Sequence, residues 1–466
     1  MSTTLGDHLV EELRAVLGPE GVLDDLDVLD SYRRDMMPLA PAGVPRAVAL
    51  PADAEQVRAV VRACAAAGAP IVPRGAGSGL SGAANAVDGC VVLATTRMNR
   101  VLEVDPDNRL AVVEPGVVNL DLRRAVEEHG LFYPPDPSSY DWCTIGGNLA
   151  TNAGGLCCVK YGVTTDSVLG LDVVLADGSL LRTGRRTVKG VAGYDLTKLF
   201  VGSEGTLGVI TRATLALRPL PQAPVTLVAA FGSTAAAATA VSRIVRAGAV
   251  PSLMEIMDRA SIVAVEQNLR TELGAGAGSA ALLLCQSDSG GEAARREIAA
   301  IERICADAGS ELVHWTEDLA EGRTLMAARR AVLPSLELYG SWLTEDVCVP
   351  RTRIADLING SEAVGARHGL LVAVVGHAGD GNMHPTIVYD PASEEQRARA
   401  RRAFDEIMEL GLSLGGTITG EHGVGKVKRD WLAREIGPVA LRTHRAIKAA
   451  LDPGNLFNPG SMFELD

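Results

Sequence analysis

Two imidazoles seven residues apart, and a carboxylate followed directly by a third imidazole, are the side chains of this sequence best suited to chemistry. The first pair lies in GHAGDGNMH, Gly376 to His384, just after the apolar run Leu370 to Val375. Gly379 and Gly381 let that loop fold the nitrogens of His377 and His384 onto one point. Imidazole with carboxylate is the usual donor set for a catalytic divalent cation. The second group lies in GEHGVGK, Gly420 to Lys426, which offers Glu421 as a third ligand and His422 as a neighbouring base. Two histidines alone are more often core or surface residues. Three ligands, an open position and a spare histidine describe a catalytic centre better than a structural one.

A second kind of chemistry is written in glycine. PRGAGSGLSG, Pro73 to Gly82, leaves main-chain N–H groups open to close approach, and a concave set of such donors binds phosphate oxygens. Gly77, Gly79 and Gly82 match G-x-G-x-x-G, but the helix that fingerprint requires has no room before the next apolar run, Cys90 to Leu93. The segment is therefore expected to be a loop between two strands. Small, hydroxylated and amide side chains gather again in PPDPSS (Pro134 to Ser139), TIGGN (Thr144 to Asn148) and TNAGG (Thr151 to Gly155), a setting that suits a large flat cofactor lying along the backbone. GSEGTLGVI, Gly202 to Ile210, repeats the theme.

These segments need elements to hold them. Leu9, Leu13, Val16 and Leu17 predict a helical start that runs to about Met37. Strand Ala47 to Leu50, a capping-box start at Asp53 and Gln56, helix Ala54 to Ala67 and strand Pro70 to Val72 form a β-α-β unit that presents the glycine loop. Strands Val101 to Val104 and Leu110 to Val113, helix Asn119 to His129, and a hairpin turning at Asp177 and Gly178 follow. LRPLPQAP, Leu217 to Pro224, breaks the composition. Beyond it strands alternate with alanine-rich helices: Val225 to Phe231, Ala235 to Ala247, Ala280 to Cys285, Glu292 to Ala308, Leu319 to Leu338 and Arg351 to Arg367. The tail DPGNLFNPG is rich in turns. The expected fold class is α+β, with a helical segment 1–41, a cofactor domain 42–220, an α+β substrate or cap domain 221–420, and a C-terminal helical segment 421–466 that returns to the cofactor domain.

Composition narrows the classes. A formal charge of −13 argues against nucleic acid or an anionic membrane as the main partner. The eight cysteines show neither C-x-x-C nor iron–sulfur spacing and read as reduced thiols of a cytoplasmic protein. The start, MSTTLGDHLVEELRAVLG, has no leader pattern, and no run has membrane-spanning length; peripheral attachment to a membrane stays open.

Taken together and in this order, the glycine loop, TIGGN, TNAGG, GHAGDGN-x-H, GEHG-x-G and the final NPG resemble the flavin-dependent D-2-hydroxy-acid dehydrogenases of the vanillyl-alcohol-oxidase-type FAD fold, from about Pro45 to Gly460. The family includes D-lactate dehydrogenase, the glycolate oxidase FAD subunit and D-2-hydroxyglutarate dehydrogenase. The resemblance implies that Arg74, Gly75, Ala76, Gly77, Ser78, Gly79 and Ser81 wrap the FAD pyrophosphate. By the same likeness Pro135, Asp136, Ser138, Thr144, Gly146, Gly147 and Asn148 line the flavin ring and ribityl chain. Asn152, Gly154, Gly155, Gly205 and Ile210 complete the channel, and Asn458 approaches the flavin from the C-terminal side. Relatives with covalent flavin carry a histidine in the glycine loop. This loop has none, so FAD is expected to be noncovalent. The resemblance puts a divalent metal (zinc favoured, manganese or iron admitted) on His377, His384 and Glu421, with His422 as base, Asn382 orienting ligands or substrate, and Arg329 clamping the substrate carboxylate. The choice of Arg329 over its neighbour Arg330 rests on the resemblance. Where hydroxyglutarate-type enzymes carry a lysine for the distal carboxylate, LTEDVCVP has Thr344, which favours the lactate or glycolate branch.

The implied partners are a small 2-hydroxy acid and an electron acceptor left open among a quinone, a cytochrome, an electron-transfer flavoprotein and an iron–sulfur subunit; a homodimer is compatible with the sequence. Two other readings stand beside this one. A redox-neutral transferase on the same flavin fold, resembling alkyl-dihydroxyacetonephosphate synthase, lacks its histidine cluster here. An electron-carrying FAD subunit of a glycolate-oxidase-like complex would need a separate iron–sulfur partner.

Overall fold

Side-chain caps delimit the helices that carry the glycine loop. Asp53 accepts the Gln56 N–H at 2.8 Å and starts helix Ala54–Ala67, which Gly68 ends at φ 62°. The computed structural model describes residues 3–270, 273, 276 and 278–465, so the first two residues of the leader reading lie outside the described residues. By contacts the chain divides into two units, Met1–Gly154 with Gly162–Leu220 and Glu421–Asp466, and Gly155–Tyr161 with Pro221–Gly420.

The first unit holds two main sheets. One orders its strands Val22–Leu23, Ala47–Ala49, Val91–Ala94 and Ile71–Arg74, the last three parallel. Parallel neighbours ordinarily need a helical crossover. Here the glycine loop and the turn after it, residues 75–90, make the connection with no helix, as the spacing requires. The other sheet is antiparallel: Val101–Asp105, Leu110–Val113, Val209–Ala216, Val168–Val174 and Leu180–Gly184. Leu13, Val57, Val61, Ile71 and Leu93 are buried in one core, and Val113, Leu122, Tyr133, Phe200 and Leu215 in another.

The second unit is an antiparallel sheet ordered Ser310–Thr316, Val225–Phe231, Ala281–Ser287, Leu253–Asp258, Leu371–His377, Asn382–Tyr389 and Ser341–Thr344, with Val347–Cys348 also paired to Asn382–Tyr389. Helices Thr234–Arg246, Arg259–Leu269, Gly291–Asp307, Ile354–His368 and Glu394–Ser413 accompany it.

Two local expectations change. The helical start is not continuous to Met37: Thr3–Leu17 ends at Gly18 (φ 75°) before Pro19, and a short helix, Leu26–Ser31, restarts on an Asp25 cap. The helix read over Leu319 to Leu338 breaks into Leu319–Arg330 and Val332–Leu336, because Pro334 has no N–H to continue the ladder. Within Pro134 to Gly155, Thr144 caps helix Ile145–Thr151, which Asn152 closes at φ 54°.

Candidate active site

In the first unit the cofactor motifs knit together through close backbone approaches. A Cβ on Gly75 would lie 2.3 Å from Thr144 Oγ1, so glycine lets the loop meet the TIGGN cap. Asn119, which the sequence reading did not single out, donates to Pro135 O at 3.1 Å and Asn148 Oδ1 at 3.0 Å, tying PPDPSS to TIGGN. Asp136 is buried, and Gly146 rests on Pro115. Asn152 accepts the Thr165 N–H at 2.9 Å. Ile210 is half-buried opposite Val173, and Gly205 (φ 67°) packs on Pro73. Gly154 closes one segment of this unit, and Gly155 opens the short segment grouped with the other.

Arg74 sits beneath the loop. Its guanidinium donates to Arg34 O at 2.9 Å and Ala84 O at 3.4 Å, and a Cβ on Gly77 would stand 2.1 Å from Arg74 Nη2. Asp35 braces the same segment; burial pushes its carboxyl up to about 6, although the Met37 N–H draws it back. Among the described residues, the main-chain N–H groups of Ala76, Gly77, Ser78 and Gly79 donate no hydrogen bond within the chain. Half-buried and uncommitted, they are the donors a pyrophosphate would use.

Asn458 and Glu204 join this loop to GEHGVGK. Asn458 donates through its main chain to Ile71 O at 2.7 Å, and through Nδ2 to Ala83 O and Glu204 O, both at 2.8 Å. Glu204, in a left-handed conformation at φ 52°, accepts the N–H groups of Val424 at 2.6 Å and Gly425 at 2.7 Å. Burial nonetheless pushes its carboxyl up to about 7. The Lys426 N–H donates to Ser81 O at 3.0 Å.

In the second unit, sheet register does the positioning. Glu255 stands opposite His377 on one neighbouring strand and Asn382 stands opposite it on the other, so the three side chains form a row on one face. His384, two residues beyond Asn382, shares that face. The His377 and His384 rings are 5.2 Å apart, edge to face. Gly376 and Gly381 make the hairpin: a Cβ on Gly376 would lie 2.4 Å from Asn382 O, and one on Gly381 (φ 82°) 2.1 Å from Val349 O.

Glu255 is 0% exposed, and its carboxylate spans two partners. Oε1 meets His377 Nδ1 at 2.6 Å, while Oε2 accepts the Arg329 Nε–H at 2.8 Å and lies in ion-pair contact 2.8 Å from Nη2. Arg329 is buried at the end of helix Leu319–Arg330, whereas Arg330 is exposed. Asp346, also at 0% exposure, accepts Thr419 Oγ1 at 2.6 Å and the Gly420 N–H at 2.9 Å, and its other oxygen lies 3.9 Å from His384 Nδ1. The chain then passes to the first unit, where its first two residues are Glu421 and His422, half-buried, with Oε1 and Nε2 3.8 Å apart. His377, Asn382, His384 and Arg329 thus belong to one unit and Glu421 and His422 to the other, joined by the Gly420–Glu421 peptide bond.

Sequence reasoning missed Glu255 and Asp346. A signal existed for Glu255: an acid inside Leu253–Asp258, whose six residues are all buried.

The first part of the chain, residues 45–184, matches the family model described as FAD binding domain, and residues 220–462 match FAD linked oxidases, C-terminal domain. Glycolate oxidase subunit GlcD of Bacillus subtilis (strain 168) is 41% identical over 457 residues, covering 98% of this chain and 97% of that protein. A probable mitochondrial D-lactate dehydrogenase of Danio rerio is 34% identical over 475 residues, 99% of this chain and 93% of that one. Among solved structures, p-cresol methylhydroxylase with substrate bound superposes with a TM-score of 0.82 over 100% of this chain and 98% of its own, at 20% identity, a likeness of fold. That fold is the vanillyl-alcohol-oxidase type, α+β in class. With family models on both parts of the chain and relatives matched over nearly all of it, the chain belongs to the FAD-linked oxidases and is an FAD-linked oxidoreductase.

Proposed function

We propose that this chain oxidises a small D-2-hydroxy acid, glycolate or D-lactate, to the 2-oxo acid, with hydride transfer to N5 of a noncovalent FAD and with a divalent cation at the substrate hydroxyl. The names of its relatives support the substrate class. The observation that carries the reading is the buried Glu255 carboxylate, which accepts from Arg329 on one oxygen and meets His377 on the other, so that a guanidinium suited to a substrate carboxylate and an imidazole suited to a cation share one anion. Both absent groups fit the residues. Uncommitted N–H groups over Ala76 to Gly79 suit a pyrophosphate, and His377, His384 and Glu421 carry the donor types that zinc, manganese or iron takes.

When bound, FAD supplies a two-electron acceptor and the cation supplies Lewis acidity that makes a hydroxyl more acidic. The chain's own residues orient and deprotonate. Nε and Nη2 of Arg329 are held by Glu255, so the outer Nη1 and Nη2 edge is turned to the substrate carboxylate and fixes which face of C2 reacts. His422 accepts the hydroxyl proton as the C2 hydrogen leaves with its electron pair. Asn382 holds the substrate or the ligand imidazoles in place.

A second reading, an FAD subunit that hands electrons to a partner, is favoured by one observation: the Bacillus relative is named a subunit. No helix among the described residues is long and apolar enough to cross a membrane, and the acceptor is a quinone, a cytochrome, an electron-transfer flavoprotein or an iron–sulfur protein. Purifying the chain alone and measuring turnover of glycolate and D-lactate with an artificial acceptor tests the two readings. Sustained turnover supports a self-sufficient dehydrogenase, and turnover that appears only with a co-purified partner supports the subunit.

A further inference from the structure

We infer that Glu255 is the positioning residue of this centre, one carboxylate that sets both the cation-ligating face of His377 and the substrate-facing edge of Arg329. The inference rests on the proposed function and adds to it a residue that touches neither substrate nor cofactor.

The argument begins in the sheet. Leu253–Asp258 is wholly buried, and an ionised acid within it is tolerated only if paired and hydrogen-bonded. Cross-strand register puts Glu255 directly opposite His377, and the helix end brings Arg329 to the other carboxylate oxygen. Each oxygen has its own partner: Oε1 holds His377 Nδ1 at 2.6 Å, and Oε2 holds Arg329 Nε and Nη2 at 2.8 Å. Local sequence preference and burial conflict at this position, and such conflicts concentrate at functional sites.

Two chemical consequences follow from the division. Accepting the Nδ1 proton fixes His377 in the tautomer that carries its lone pair on Nε2, the atom a cation would take, and orients the ring. Occupying the Nε and Nη2 edge of Arg329 leaves its opposite edge for a carboxylate and stops the guanidinium from rotating. A 2-hydroxy acid presents its hydroxyl and carboxylate on adjacent carbons. One rigid carboxylate between imidazole and guanidinium therefore sets the spacing of the two substrate-holding groups.

Glu255→Gln tests this, because a glutamine has one acceptor where the site uses two, and its amide N–H₂ must face a donor. The FAD-loaded wild type and variant are titrated with Zn²⁺ and Mn²⁺ against a competing chelator, with flavin content and thermal unfolding recorded on the same samples. The expected result is cation affinity weakened about 10–100-fold with flavin content retained, together with a raised KM for hydroxy acids. Glu255→Asp, which keeps the charge but is one methylene too short to reach both partners, is expected to weaken cation binding in the same direction and serves if the glutamine variant folds poorly. A folded Glu255 variant that binds both cations as tightly as the wild type overturns the inference. If the wild-type flavoprotein itself takes up neither cation, the proposed function loses its metal and the inference falls with it, so the two failures are told apart.

Discussion

Glu204 gives the first unit a pH dependence whose sign follows from burial. The side chain is 4% exposed, and desolvation pushes its carboxyl from 4.5 up to about 7 against the pull of the Val424 and Gly425 N–H groups and the Ser461 hydroxyl. The folded state therefore holds this proton more tightly than the unfolded chain does. Stability from this group is fully present below the unfolded value and is lost as pH rises through the folded one. At about 1.4 kcal/mol per pH unit, the interval is worth roughly 3 kcal/mol, an order-of-magnitude figure that corresponds to about 6–12 °C in unfolding midpoint for a domain of this size. Glu204→Gln cannot ionise, and the other buried acids, Asp35 among them, titrate alike in both proteins. Unfolding midpoints of wild type and variant, each with excess FAD, are measured from pH 5 to pH 8. The wild type is expected to lose ground against the variant across that range by several degrees. Parallel curves, or a wild type that gains on the variant as pH rises, would refute the reasoning.

Gly425→Ala puts a side chain at φ 53° with its Cβ 2.1 Å from Ser81 O, which should cost about 2–5 kcal/mol and release flavin; an unchanged unfolding midpoint would contradict it. Lys448→Met removes the ammonium that donates to Thr206 O and Phe457 O, both at 2.8 Å, and pairs with Asp452, leaving a buried carboxylate at a cost of about 3–5 kcal/mol. Adding Asp452→Asn should recover part of that loss in a urea melt, and no recovery would rule out the charge argument. Arg329→Lys keeps the charge but loses the fork, so kcat/KM for hydroxy acids should fall by about 2–3 kcal/mol in transition-state terms, while Arg330→Ala, an exposed position, should behave as wild type in the same assay; the reverse order would sink the assignment.

Much of the scaffold could be read because its signals are local. Asp53 and Gln56 announce helix Ala54–Ala67, the Asp177 and Gly178 turn joins Val168–Val174 to Leu180–Gly184, and the 75–90 connection is too short and too glycine-rich for a helix. What stayed hidden depends on partners far away in sequence. Strand Leu253–Asp258 is not among the expected elements; an acid within its apolar residues hints at a special position, but only the register against Leu371–His377 puts Glu255 beside His377, 122 residues on. The contrast between Arg329 and Arg330 is likewise invisible in the sequence, where they are equivalent neighbours; the helix face toward Glu255 separates them. Thr144 as a helix cap inside TIGGN was legible in principle, but two glycines at Gly146 and Gly147 lower helix propensity enough to conceal it.

The central claim is that a 2-hydroxy acid reduces a flavin on this chain. Its most direct test is the anaerobic absorbance spectrum of the purified, FAD-loaded protein, with glycolate, D-lactate, L-lactate and D-2-hydroxyglutarate added in turn. Bleaching of the flavin band by glycolate or D-lactate, and not by L-lactate, is the expected result. A protein that stays yellow with all four, while remaining reducible by dithionite, would contradict the claim.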